Sequence, residues 1–590
     1  MSRDREDRAL GALAVAAGLF LALRAGGLLA AVLSGHGLVV GRALGALGAL
    51  VHPGDPSRAW GVAVGPAALY WASSVVVVAA LVAVVTVAWR HVARASVDDP
   101  SQLAGLAARR EVALVAGERQ LRRRGAVLRP TLARASAREL GYYLGASRGV
   151  ACFASVEDSV VVLGPPRAGK GMNLVIPFIL DAPGPVVTTS TRPDNLAATI
   201  TARSRVGPVA VFDPQGLAEG VVGGLRWSPV RGCADPQTAM LRAGALCAGA
   251  AGAVADANFW QRQTEVVMRC LLHAAALEGR GVADLYRWSL SPDEAKEAVE
   301  ILRGSPRATP QWGATLGGVV GLESRALANI WSVVSGVVAP LASPRVLDQL
   351  SPGPGEAFDP ATFLRERGTL YLLATSAGAS ASATIVAALI EDVVETARRL
   401  ASASVGARLD PPLALVLDEA ANYPLASLGA LMSEGGGTGI TTVAVLQSLA
   451  QARGRWGAEA AQAIWDSATL KVVLGGSASA NDLRDLAQLM GEREQTDVST
   501  ARQSGGGRTV TESTRSRAVL EPSVIRRLPV GRALVVARAA RPIVVTLRPW
   551  TARRDARRLR EERASVEETL RRCASSSEFA APRPEGAVGS

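Results

Sequence analysis

Hydrophobic rhythm changes character several times along this chain. From Ala59 to Trp89 no residue is charged, and ALYWASSVVVVAALVAVVTVAW (68–89) is long enough to cross a bilayer, which takes about 20 apolar residues. An earlier run, LGALAVAAGLFLAL (10–23), is interrupted by Arg24 before GGLLAAVL resumes, and reads as a first span over 10–33. A cleaved signal peptide fits less well, because no small-residue cleavage site follows at a suitable place. Beyond residue 150 short β-branched runs appear: VACFAS, SVVVLG, PVVTTST and PVAVFD. The stretch from about 236 to 345 then turns to helical spacing, as in NFWQRQTEVVMRCLLHAAALEG. Strand-like runs return with GTLYLLATS (368–376), LALVLDEA (413–420), ITTVAVLQ (440–447) and LKVVLGG (470–476), with helical patterns such as 383–400 and 481–491 between them.

Alternating strands and helices imply an α/β fold with a parallel sheet covered on both faces, and ALVVARA with PIVVTLRP reads as a closing hairpin. The expected organisation is a transmembrane anchor over 1–95 (spans about 10–33 and 67–89) and a juxtamembrane linker over 96–150. An α/β domain follows in two parts, 151–235 and 351–550, split by an all-helical insertion over 236–350. A charged, disordered tail over 551–590 closes the chain.

Charge adds orientation and partners. Arg3, Arg5 and Arg8 precede the first span and Arg90 and Arg94 follow the second, while the loop between carries only Arg42 and Arg58. The positive-inside rule then places both ends in the cytoplasm, with the chain a multi-pass protein of the inner (plasma) membrane. A net charge of +12 over 590 residues points to polyanionic partners, nucleic acid or anionic lipid; an arginine-rich composition throughout is the plain alternative. The five cysteines form no C-x-x-C and there are four histidines, so neither a disulfide framework nor a zinc site is expected.

One octapeptide carries chemistry. GPPRAGKG (Gly164, Pro165, Pro166, Arg167, Ala168, Gly169, Lys170, Gly171) has the spacing of a phosphate-binding loop, but position 171 lacks the usual Ser or Thr hydroxyl for Mg²⁺. Of 64 basic residues only Lys170, Lys296 and Lys471 are lysine, and one of them stands where a compact point charge is needed among backbone amides. SVVVLG supplies the strand entering the loop, and GMNLVIPFIL the helix leaving it, with Pro177 expected to kink that helix. The second half of the site is read in LALVLDE: Asp418 emerges where it would hold Mg²⁺ through water, and Glu419 where it would orient an attacking water. Gln447, ending the strand ITTVAVLQ, is a candidate γ-phosphate sensor, against the plain reading of a satisfied strand-terminal glutamine.

GPPRAGKG, VLDEAANYPLASLGALMSEGGGTGITTVAVLQSLAQARGRWG (416–457) and IWDSATLKVVLGG (464–476) together resemble the type IV secretion coupling proteins of the TraG/TraD kind, over most of residues 140–550. The resemblance implies a RecA-like P-loop ATPase domain using ATP and Mg²⁺, assembled as a homohexamer. It implies a relaxase-bound single DNA strand as cargo, and relaxosome proteins and a conjugation or secretion channel as partners. Members often carry Gly after the P-loop Lys; without a hydroxyl at 171, one Mg²⁺ ligand must come from water or another side chain, and weaker Mg²⁺ dependence and slow turnover are expected. In such a hexamer a neighbour's arginine completes the charge clamp; Arg453 and Arg455 are candidates, against a solvated role. In the insertion, Phe259 and Trp260 read as core, or as a docking face for relaxosome components.

Competing readings are an FtsK-like double-strand DNA pump, for which a C-terminal winged helix would be expected, a motor for protein substrates, and a non-catalytic nucleotide-binding scaffold.

Overall fold

The computed structural model describes residues 18, 20–95, 103–221, 224–248, 257–374, 376–423, 425–502, 508–538 and 540–578. The start of the expected first span, the arginines before it and residues 579–590 lie outside the described residues. The chain divides into two compact units, Met1–Asp99 and Pro100–Ser590.

In the first unit the helix Ala67–Ala95 contains an 18-residue apolar window, Ala67–Val84, long enough to cross a membrane, whereas Phe20–Leu33 is shorter. Val75, Val76, Leu81, Val82 and Val84 are exposed around the long helix, apolar surface of the kind found at protein or membrane contacts. The two helices meet where the chain is narrow: a Cβ on Gly26 would sit 2.4 Å from Ser74 Oγ, and Ser73 Oγ donates to the Gly26 carbonyl at 2.8 Å. Small residues permit that approach, as they do between helices in lipid. Arg24 donates to the Ala43 carbonyl at 2.8 Å.

The second unit is built on an eleven-stranded sheet in the order β2-β1-β13-β12-β9-β3-β8-β7-β4-β6-β5. Here β1 is Gly141–Ser147, β2 Val150–Ser155, β3 Val160–Leu163, β4 Val186–Ser190, β5 Val209–Phe212, β6 Thr369–Leu373, β7 Leu413–Leu417, β8 Ile440–Leu446 and β9 Leu470–Leu474, with β12 (Arg532–Ala537) and β13 (Ile543–Leu547) closing it. From β9 to β5 the strands are parallel. β3, β4, β6, β7 and β8 are buried along their whole length, which is why they read as unbroken apolar or Thr-rich runs rather than alternating ones. Between β5 and β6 the chain is helical: Pro236–Cys247, Ala257–Leu277, Val282–Leu290, Lys296–Gly304, Trp312–Val320, Ser324–Val338 and Pro344–Gln349. Ser324–Ala342 is also apolar and long, but it buries Trp331, Val334 and Val337 in the soluble core.

Several expectations are corrected. The sheet is mixed, because β12, β13, β1 and β2 extend it beyond β9 through successive antiparallel pairings; the β12–β13 hairpin is as read. The stretch expected as a linker holds β1 and several short helices, buries Leu128, Leu140 and Tyr142, and is pinned by a buried Arg129–Asp410 ion pair. GYYLGAS escaped notice as a strand because its small residues show no clear alternation. The tail is not simply disordered: Ala556–Glu578 is a helix packed against the helix Asp194–Arg203, with Arg205 paired to Glu562 at 2.9 Å and Arg553 to Asp181 at 2.6 Å. Phe259 is 48% exposed, not core, while Trp260 packs partly buried beside it. A polar two-stranded ribbon, β10 (Glu492–Arg502) with β11 (Arg508–Ala518), was not foreseen, since a strand poor in apolar residues leaves no hydrophobic period to read.

Candidate nucleotide-binding site

The site grows from three adjacent parallel strands, β3, β8 and β7, whose carboxyl ends open on one edge of the sheet. Ligands in open α/β sheets bind at that edge. β3 delivers the loop Gly164–Gly169. The Gly164 amide donates to the Leu446 carbonyl of β8 at 3.0 Å, fixing where the loop begins. Arg167 (φ 64°) and Gly169 (φ 84°) take left-handed conformations, and such turns point successive amides into a concavity suited to an anion. The left-handed φ at 169 favours glycine, and a Cβ there would lie 2.6 Å from Asn173 Nδ2 and displace that side chain. Pro165 is half-buried, Pro166 and Arg167 are exposed, and Ala168 is buried under the loop.

Lys170 Nζ donates to the Gly164 carbonyl at 2.8 Å, so its charge lies folded across the loop. Burial pushes its pKa down, against the opposing pull of Asp418 and Glu419. After it, Gly171–Val175 forms a π-turn before the α-helix Ile176–Asp181. Pro177 has no N–H to give the Asn173 carbonyl, and the Ile176 amide reaches back to Gly171. Pro177, expected to kink the helix, stands at the start of the α-helical part, directly after the π-turn.

From β7, Asp418 enters a dense set of donors. Its Oδ2 accepts from Asn195 Nδ2 at 3.1 Å, its Oδ1 from the Glu419 amide at 3.1 Å, and its carbonyl from Thr189 Oγ1 at 2.8 Å. Burial nonetheless raises its pKa, opposed by the Asn195 hydrogen bond and by Lys170. Lys170 and Asp418 therefore both carry charge against desolvation, as groups awaiting a charged ligand would.

Glu419 adopts φ 52°, ψ 47°, an uncommon left-handed conformation for a residue with a side chain. Its carboxylate is clamped: Oε1 accepts from Gln447 Nε2 at 3.1 Å and Oε2 from Asn422 Nδ2 at 3.0 Å. Gln447 thus has a definite partner inside the site. Arg455 donates from Nε to the Ala421 carbonyl (2.8 Å) and from Nη2 to that of Asn422 (3.0 Å), bracing the turn after Glu419. Arg453 pairs with buried Asp482 at 2.9 Å. Both arginines are engaged within their own chain, and neither is placed as a free finger or as a purely solvated charge.

Sequence reading missed Asn195, Thr189, Asn422 and the bracing role of Arg455. The polar run TTSTRPDN at the end of β4 was the available signal, because a buried strand that ends in hydroxyls and an amide beside the Asp418 strand is poised over a site.

These residues fit a nucleoside triphosphate with Mg²⁺. Mg²⁺ prefers hard oxygens and is held by one or two carboxylates plus water and phosphate rather than by a protein cage. Among the described residues no group of three or more His, Cys, Asp or Glu could form such a cage, and Asp418 offers a single carboxylate beside the loop.

Residues 412–530 match the family described as the TraM recognition site of TraD and TraG. No curated protein matches the chain in sequence. Solved structures of similar fold include the bacterial conjugative coupling protein TrwBΔN70 in an unbound form, at 20% identity over 74% of this chain and 92% of that one, with a TM-score of 0.53. The plasmid coupling protein TrwB with a non-hydrolysable ATP analogue is 19% identical over 74% and 92%, TM-score 0.52. TrwB with ADP and Mg²⁺ is 18% identical over 74% and 93%, TM-score 0.51. The resemblance to TraG/TraD coupling proteins is thereby met by a family segment and by a RecA-like P-loop fold.

Proposed function

We propose that this chain, with the TrwB fold and the TraD/TraG segment over 412–530, is a membrane-anchored coupling protein that uses ATP to bring DNA to a conjugation channel. The observation that carries the reading is the convergence of Lys170, Asp418, Glu419 and Gln447 on one sheet edge, through strands β3, β7 and β8.

In this reading the loop amides and Lys170 would receive the phosphates, Asp418 would hold Mg²⁺, and Glu419 would orient the attacking water. Mg²⁺ would supply charge neutralisation at the β- and γ-phosphates. Gln447, already bonded to Glu419, links γ-phosphate status to β8 and the helix Leu449–Trp456, and Arg455 on that helix carries the link to the 420–422 turn. The assembly is a homohexamer with its sites between subunits. The anchor places the motor on the cytoplasmic side of the inner membrane, and relaxosome proteins and the channel are its partners. A pump that grips backbone phosphates of a single strand needs no sequence-reading motif.

The test is ATP hydrolysis by the full chain in detergent micelles, with and without single-stranded or duplex DNA, beside Lys170→Ala and Glu419→Gln. Turnover stimulated by single strands and lost in both variants is expected. Nucleotide binding without turnover under every condition would replace the motor with a scaffold.

A further inference from the structure

Position 171 has no side chain to offer a cation, yet a polar atom faces it. Asn195 lies in the first turn of the helix Asp194–Arg203, just past the end of β4, and is buried at 4% exposure. Its Nδ2 donates to Asp418 Oδ2 at 3.1 Å and stands 3.5 Å from Ser190 Oγ. Those two contacts commit the nitrogen and turn the amide oxygen the other way, toward the loop. A Cβ built on Gly171 would meet Asn195 Oδ1 at 3.6 Å and nothing else within 4 Å. The Asn195 backbone carbonyl is occupied separately, accepting from Thr199 Oγ1 at 2.7 Å.

We propose that Asn195 Oδ1 takes the place of the missing Ser or Thr hydroxyl, so that Gly171 and Asn195 together form one half of the Mg²⁺ site and Asp418 the other. This deepens the nucleotide-site reading above and rests on it. A carboxamide oxygen is a hard donor of the kind Mg²⁺ and Ca²⁺ accept. Glycine at 171 leaves the space into which Oδ1 faces. The hydrogen bond from Nδ2 to Asp418 orients donor and carboxylate together, the arrangement by which neighbouring groups aim a ligand. The helix bearing Asn195 is itself held firmly: Arg203 at its far end donates to Thr369 Oγ1 (2.8 Å) and to the carbonyls of Ala182 (2.9 Å) and Gly184 (2.7 Å), and the helix Ala556–Glu578 packs on its flank. Weak metal dependence, expected from Gly171 alone, is not expected of the pair.

The test measures ADP affinity by titration with a fluorescent ADP analogue, for the full chain in micelles, in Mg²⁺ and in EDTA. The quantity read is the ratio of the two affinities. In Asn195→Ala that ratio is expected to fall at least tenfold, and Gly171→Ser added to Asn195→Ala is expected to restore it, because a Ser side chain fits the space. Asn195→Asp guards against misfolding, since it keeps the shape and an oxygen and is expected to retain the metal enhancement. An unchanged ratio in Asn195→Ala, or equal losses in Mg²⁺ and EDTA that Gly171→Ser does not rescue, would overturn the assignment and leave Asn195 a support for Asp418. Failure of the parent chain to bind ADP under either condition would instead overturn the nucleotide-site reading itself.

Discussion

Gln447 Nε2 donates to Glu419 Oε1 at 3.1 Å, joining the end of β8 to the residue that follows Asp418. The carboxylate is thereby oriented before any substrate arrives. Removing a positioned general base or water-orienting group costs about 10²–10⁴-fold, and in the proposed function Gln447 acts through Glu419, which would orient the attacking water. Gln447→Ala is therefore expected to lower kcat by about tenfold to a hundredfold while leaving KM for ATP within about threefold. Steady-state hydrolysis checks this; a parent-like kcat would remove Gln447 from the mechanism.

Gly169 offers a backbone test. With φ at 84°, Gly169→Ala strains the loop and also pushes aside Asn173 Nδ2, 2.6 Å from the new Cβ. The strain is about 1–3 kcal/mol, felt where the amides must converge. Nucleotide affinity is expected to drop by at least tenfold while the circular dichroism spectrum stays that of the parent.

Asp418 makes a prediction in pH. Burial raises its folded pKa above the ordinary carboxylate value, so between the two the folded state binds more protons than the unfolded one. Stability of the nucleotide-free protein then falls as pH rises through that window, because the buried carboxylate must ionise. Asp418→Asn removes this charge. Its melting temperature without nucleotide is expected to match or exceed that of the parent at neutral pH, and the advantage to vanish as pH falls toward the ordinary carboxylate range. A variant less stable at every pH would show that the charge supports the apo fold.

Arg455 makes two hydrogen bonds to the turn after Glu419, to the carbonyls of Ala421 and Asn422. Arg455→Ala leaves those carbonyls without their donor, at a cost of about 1–3 kcal/mol. Denaturant unfolding should register the loss. If Arg455 were instead a finger acting on a neighbouring subunit, turnover would collapse with stability intact.

The helix Ala67–Ala95 is long and apolar enough to cross a membrane and exposes Val75, Val76, Leu81, Val82 and Val84. A chain beginning at Pro100 is expected to appear in the soluble fraction after high-salt extraction, while the full chain stays with the membrane. Retention of the shortened form would point to a second attachment.

What was legible beforehand was whatever contiguous residues carry. The loop's glycine spacing, Lys170 as one of only three lysines, the apolar run ending in Asp418–Glu419 and the uncharged stretch 59–89 each encode a local physical demand: amide convergence, a point charge, a buried strand, a long apolar helix. Those demands are met within a few residues, so they mark the sequence. The docking of β1 on β13 and of the helix Ala556–Glu578 on the helix Asp194–Arg203 left no comparable mark, since those partners lie far along the chain, and the local ribbon of β10 and β11 has no apolar period to read. The same holds inside the site. Asn195 meets Asp418 across 223 positions, and Arg455 braces a turn 34 residues back. Only the strand order, which sets β4 beside β7 and β7 beside β8, brings these side chains within hydrogen-bonding distance. Sequence determined that a phosphate loop and an acidic strand end exist; tertiary structure decided which neutral side chains hold them in position, because hydrogen-bond geometry between distant segments is a property of packing and not of order along the chain.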